Sequence, residues 1–186
     1  VCEVLAVRGE ASAGTRALAV GDRLERGTEL RTGANGRVRL RFIDGSTVVV
    51  SDSTVMKLER FELAADKRRE VTLMLETGLI GQKVAPSPGG SWEVRTPTAV
   101  TAVRGTEFIV EVGRDLGTAV NVQSGKETVE AVQSAGGATR SLRPRSVVNL
   151  EDAQAGTQCN PSTGCSKSVT WSAERVKRAQ DRLAGV

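Results

Sequence analysis

The sequence predicts an all-β protein, a sandwich or solenoid-like domain of about ten short strands, followed by a loop and one C-terminal α-helix. Three observations carry that expectation. Apolar and polar residues alternate with period two in short stretches, strictly in RVRLRF (37–42), and in EFIVEV (107–112) Phe108, Val110 and Val112 alternate with Glu107, Ile109 and Glu111. Turn-forming residues separate such stretches at roughly 8- to 15-residue intervals. The core has to be built from Val, Leu and Ala, since aromatics are only 3% of the chain (Phe42, Phe61, Trp92, Phe108 and Trp171), and β-branched valine favours strands.

Taken in order, CEVLAV (2–7) reads as a first strand, and Gly9 opens a turn-rich stretch. Residues 17–24 carry a short second strand that ends near Gly21-Asp22. A segment around Leu30 leads through Gly33 and Gly36 into 37–42, where Val38, Leu40 and Phe42 face one way and Arg37, Arg39 and Arg41 the other. Asp44-Gly45 then joins that strand to 47–51 as a hairpin, with a type I′ turn expected. Residues 55–63, 71–75 and 92–95 are further strands. The charged 64–70 and the Pro/Gly-rich 84–90 are loops.

Residues 96–112, TPTAVTAVRGTEFIVEV, look like the organising stretch: an Arg-Gly-Thr turn between two strand-like runs. Gly105 suits a backbone conformation that side chains forbid. Arg104 is read as a structural donor to carbonyls of a neighbouring turn rather than as a ligand-binding residue. Strands at 118–122 and 128–132 flank Ser124-Gly125, a second hairpin-type junction, and 147–150 is the last strand. Glu29-Leu30-Arg31-Thr32 is faintly echoed by Glu93-Val94-Arg95-Thr96.

The chain of 186 residues, 39% of them hydrophobic, permits one β domain at 1–150 and an appendage at 151–186. Residues 151–168 are polar and loop-like. Residues 170–183 form the helix, with Trp171, Val176, Ala179 and Leu183 as its apolar stripe and Glu174 placed to pair with Arg178. Arg175, Arg178 and Arg182 lie on its other face as candidate partner or anion contacts. No run approaches the ~20 apolar residues a membrane-spanning helix needs.

Cys159 and Cys165 flank turn-forming residues and are a candidate disulfide pair, with Cys2 as an alternative partner of either. Reduced thiols are the other option. The chain starts at Val1, which suggests processing after a secretion signal, and a disulfide would suit a compartment outside the cytoplasm.

With no histidine in the chain, Ser-His-Asp and Cys-His arrangements and His-containing metal sites are excluded. No Cys-x-x-Cys occurs. Glu107 and Glu111 fall on the outward side of one predicted strand and read as solvated or cross-strand-paired carboxylates. Neither an enzyme nor a cofactor is expected.

Several segments together resemble the FecR domain family over residues 1–150. They run in order as Val4-x-x-Val7-x-Gly9-Glu10, Gly21-Asp22, Leu30-Arg31-Thr32-Gly33, Asp44-Gly45-Ser46, Leu75 to Gly78, Thr96-Pro97, Arg104-Gly105-Thr106-Glu107-Phe108 and Val120-x-Val122-x-x-Gly125. The resemblance implies a structural role for Asp44, Gly45, Ser46, Thr96, Pro97, Arg104, Gly105, Thr106 and Phe108. It further implies kinship with membrane-anchored sigma regulators that relay siderophore signals. This chain shows no cytosolic helical domain and no membrane helix, so it is expected among the stand-alone periplasmic or secreted proteins with such a domain.

The expected function is a non-enzymatic interaction module that scaffolds or signals in the bacterial envelope, through an envelope or extracellular protein partner. The alternatives are a self-associating structural subunit of an envelope assembly or filament, and a binder of acidic polymer, either cell-wall polysaccharide or nucleic acid. The formal net charge of +4 and pI near 9.3 do not choose among them, while the scarcity of aromatics counts against a nucleic-acid or sugar platform. Arg37, Arg39 and Arg41, spaced by about 7 Å, read as a solvated face paired to acids such as Glu59 and Glu62, or as an anion footprint.

Overall fold

A computed structural model describes residues 1–103, 107–113, 117–125, 127–131 and 147–186. The chain lays down β1 (Cys2–Arg8), β2 (Ala11–Ala13), β3 (Arg16–Ala17), β4 (Arg23–Leu24), β5 (Glu29–Thr32), β6 (Arg37–Phe42), β7 (Thr47–Val50), β8 (Val55–Leu63) and β9 (Arg69–Lys83). There follow β10 (Gly90–Arg95), β11 (Ala99–Val103), β12 (Glu107–Gly113), β13 (Gly117–Ser124), β14 (Glu127–Ala131), β15 (Val147–Leu150), β16 (Ala155–Asn160), β17 (Gly164–Cys165), β18 (Val169–Thr170) and α1 (Ala173–Leu183). The all-β expectation holds, with more strands than the sequence suggested.

The strands form two sheets. Sheet one runs β4-β1-β6-β7-β9-β12-β13-β16, with β17 and β18 closing its edge. Sheet two runs β3-β2-β5-β8-β9-β10-β11-β14-β15. Strand β9 belongs to both, and it is the real organiser of the fold. Its first half pairs with β8 and β10, and its second half with β7 and β12. Among the described residues all pairings are antiparallel except β9 with β10, because residues 84–89 carry the chain back beside the start of β9.

Gly78 makes the change of sheet possible. Its φ is +98°, and a Cβ there would fall 2.2 Å from the Thr54 hydroxyl oxygen. On either side of it the inward positions change parity, from Val71, Leu73 and Leu75 to Ile80 and Gln82. The core fills the space between the sheets, and Phe42 meets Trp92 edge-on at 5.2 Å and stacks on Phe61 at 5.8 Å. All five aromatic residues are buried, four in this core and Trp171 under the helix.

Several local expectations need correction. The strand expected over 17–24 is instead two two-residue strands, β3 and β4, around an exposed Val20. The Asp44-Gly45 hairpin is present, but only Gly45 has positive φ (+89°), so the turn is not type I′. Gly45 N–H donates to the Phe42 carbonyl (3.0 Å) and Phe42 N–H to that of Ser46 (2.8 Å), a three-residue loop ending in a left-handed glycine. Ser124-Gly125 is not a hairpin: β13 pairs in sheet one and β14 in sheet two, so the chain crosses between sheets there. Residues 151–168, expected as loop, contain β16, which joins β13.

Helix α1 packs on the outer face of sheet one. Ser172 caps it by accepting from Arg175 N–H, so the helix starts at Ala173 and Thr170 falls in β18. Ala179 and Leu183 rest on Leu79 and Ile109, while Val176 and Trp171 meet Ala119. The i,i+4 ion pair on its surface joins Lys177 to Asp181 at 2.7 Å. Among the described residues no helix is long and apolar enough to cross a membrane.

Candidate interaction surface

Of the described motif residues, the side chains of Asp44, Ser46, Thr96 and Phe108 turn inward, while Gly45 and Pro97 are exposed. The Asp44 carboxylate accepts from the Ser46 N–H and hydroxyl (3.0 and 2.8 Å) and forms an ion pair with Arg69 at 2.7 Å, both side chains 4% exposed. Arg69 also donates to the Ala85 carbonyl and lies 5.5 Å from the Trp92 ring centre. The Ser46 hydroxyl in turn accepts from Ala85 N–H (3.0 Å). Thus Asp44 and Ser46 fasten the β6–β7 turn to the start of β9 and to Ala85 just past its end.

Thr96 turns the β10–β11 hairpin. Its hydroxyl accepts from Ala99 N–H (2.9 Å) and lies 2.6 Å from that of Thr118, which meets Thr98 at the same distance. Pro97 sits exposed at the tip, and Phe108 is fully buried. Arg104, Gly105 and Thr106 lie outside the described residues. The echoed segments share a pattern: Glu29 pairs with Arg31 (2.6 Å) and Glu93 with Arg95 (3.1 Å), while Thr32 and Thr96 both use buried hydroxyls.

Cys159 and Cys165 form a disulfide across the β16–β17 hairpin, which settles the open pairing. Cys2 is free and buried. Burial pushes its thiol up to about 12, only partly offset by the nearby N-terminal amine. It is not a reactive nucleophile.

The outward assignment of Arg37, Arg39 and Arg41 holds, with Arg37 half-buried. Their expected acids do not. Glu59 and Glu62 lie on β8 in the other sheet, and Glu62 pairs with Arg60 of its own strand (2.9 Å). On sheet one Arg41 meets Glu3 at 3.3 Å. The helix arginines separate in role. Arg175 stacks 3.7 Å over Trp171, and Arg178 is exposed. Arg182 bridges Asp52 (3.2 Å) and Glu111 (2.7 Å), so it fastens the helix to the sheet. Burial raises the Asp52 carboxyl, but hydrogen bonds from Arg182 and Ser51 outweigh it and hold the pKa below its usual value.

Sequence reasoning missed Arg69, Thr118 and Lys83. A signal for Arg69 was present: it continues the inward series Val71, Leu73, Leu75 backward by one step of two, which puts an arginine in the core. Lys83 lines an open groove of about 290 Å³ between the end of α1 and β7, together with Arg39, Val49, Gly81, Glu107 and Leu183. Among the described residues no cluster of His, Cys, Asp and Glu is arranged to hold a metal.

The fold is a disulfide-bearing β-sandwich, and its likeness to known proteins gives it a family. The family model for FecR protein matches residues 28–127, more than half of the sequence. The chain belongs to that family. Two crystal structures of a "putative anti-sigma factor" from Parabacteroides distasonis ATCC 8503, at 1.65 and 2.50 Å resolution, share the fold. Each is 24% identical with a TM-score of 0.62 and covers 81% of this chain, which spans 63% and 62% of theirs. No curated protein matches the chain.

Proposed function

We propose that this chain is a non-enzymatic protein-interaction module of the bacterial envelope, working outside the cytoplasm in scaffolding or signalling. Membership of the FecR family carries the reading, and the description of its structural neighbours as anti-sigma factors leans the same way, toward regulation through protein partners. The Cys159–Cys165 disulfide supports an oxidising compartment. The inward use of Asp44, Ser46 and Arg69 supports a scaffold whose function lies on its surface. Burial of every aromatic side chain weighs against a stacking platform for sugars or single-stranded nucleic acid.

The test is capture of partners from the native envelope extract, with the mass of the complex measured by light scattering. A defined complex with an envelope protein is the expected result. A large repeating assembly of this chain alone would replace the reading with that of a structural subunit, and capture of nothing would overturn it.

A further inference from the structure

Helix α1 rests on Leu79, Ile109 and Ala119 on the outer face of sheet one, and the residues after it bring Gly185 against the guanidiniums of Arg8 and Arg37, so that the open part of this face is the groove beside Arg39, Val49 and Lys83. Strand register gathers cations on this face. Arg8 lies directly opposite Arg37, Arg39 follows two residues on, and Lys83 stands beside Thr47 on the neighbouring strand. None of these four has an ion-pair partner among the described residues, whereas Arg41 beside them is neutralised by Glu3. Like charges directly opposite on a sheet repel, and the Arg37 Nε is buried with no acceptor among the described residues. The face therefore holds unspent positive charge and an unused donor.

The floor between these cations is not polar. Arg39, Val49 and Gly81 lie abreast on three adjacent strands, and the end of α1 raises Leu183 against Gly81 as a wall. A Cβ at position 81 would fall 2.6 Å from Leu183, so the glycine lets the helix end come down onto the sheet and shape the groove.

We propose that this groove takes an acidic amphipathic segment of a partner protein. Its carboxylates would meet Arg39 and Lys83 in the groove and reach Arg37 beyond its end on β6, and an apolar side chain would lie on Val49 beside Leu183. The inference rests on the interaction-module reading and names the surface and the partner's chemistry. Charge complementarity selects an acidic occupant. The apolar floor selects a polypeptide with apolar side chains over a uniform polyanion, which would gain nothing from it, while Glu107, opposite Lys83 on β12, limits the charge that any acidic occupant can use at that end.

The probe is a fluorescein-labelled 12-residue peptide of Glu residues interrupted by Leu, titrated by anisotropy against an all-Glu peptide and a single-stranded oligothymidylate. Saturable binding of the Glu/Leu peptide is expected, weakening with salt and at least ~10-fold in Arg37→Ser/Arg39→Ser/Lys83→Ser. Substitution of Arg31 and Arg95 on the other sheet should leave it unchanged. Should the triple variant misfold, Arg39→Glu alone serves, with the same direction of change. Equal binding by the variant, no saturable binding, or tighter binding of the oligothymidylate or the all-Glu peptide would each overturn the proposal. Capture from envelope extract separates the two readings. A triple variant that still captures the partner removes this groove and leaves the module standing, while a wild-type protein that captures nothing removes the module itself.

Discussion

Asp44 and Arg69 stand 25 residues apart in sequence and 2.7 Å apart in space, sealed under the β6–β7 turn with the indole of Trp92 behind the guanidinium. Each charge is buried because the other is. The pair is satisfied further by Ser46 and by the Ala85 carbonyl, as a buried ion pair has to be if its desolvation is to be offset. It ties the first half of β9 to the hairpin that the second half pairs with.

Removal of one partner strands the other. Arg69→Met and Asp44→Asn should each lower the unfolding free energy by about 3 to 5 kcal/mol in urea titrations. The double variant should lose clearly less than the sum of the two. Losses under ~1 kcal/mol for both single variants, the range of an exposed pair, would show that the network does not hold the turn.

The bend in β9 gives a second test. Gly78→Ala places a side chain where φ is +98° and Thr54 is in the way, and should be destabilising by more than ~2 kcal/mol. Gly14→Ala is the matched control. It has a positive φ of +58° but open space around it, so only the backbone strain of ~1 kcal/mol applies. Equal losses at the two sites would mean that packing at the crossing does not matter.

These two features also mark where the sequence was legible and where it was not. Period two showed β6 and β12 plainly, since each keeps one face to the core throughout. It could not show β9 as a single strand of 15 residues, because a strand that changes sheet also changes which parity faces inward. Residues 151–168 hid their strands for another reason. Little of β16 reaches the core beyond Ala155 and Cys159, so no apolar alternation betrays it. Ser124-Gly125 carried hairpin residues, yet local turn chemistry is the same whether the next strand returns to one sheet or enters the other. The candidate surface was half visible: the arginine row could be read from β6, but its neighbours Arg8 and Lys83 came from strands whose register only the fold fixes.

The cysteines make a prediction with two readouts. The disulfide closes a short loop, so Cys159→Ala/Cys165→Ala should lose about 2 to 3 kcal/mol and leave the β16–β17 edge open to proteolysis. In the intact protein a thiol reagent at pH 8 should find nothing while the fold persists, and one thiol, Cys2, once it is unfolded. A fast-reacting thiol in the native protein would contradict the burial of Cys2.

Docking of α1 should depend on acid. Arg182 Nε–H donates to Asp52 at 3.2 Å and Arg182 Nη1–H to Glu111 at 2.7 Å, and the single proton of the Ser51 hydroxyl is shared between the Asp52 carboxylate at 2.8 Å and the Arg182 carbonyl at 2.9 Å. The Asp52 pKa is held below its unfolded value despite burial. Its carboxylate therefore contributes stability that is fully present above the unfolded pKa of about 4 and is lost as pH falls through the folded pKa. Helix release followed by Trp171 fluorescence should set in below about pH 4, with weaker acid sensitivity in Asp52→Asn. Arg182→Ala, which removes the common partner of both acids, should loosen the helix at neutral pH by about 1 to 2 kcal/mol. Hydrogen exchange over residues 173–183 reads that directly, and exchange unchanged in Arg182→Ala would show that Leu79 and Ile109 hold the helix without help from the ion pairs.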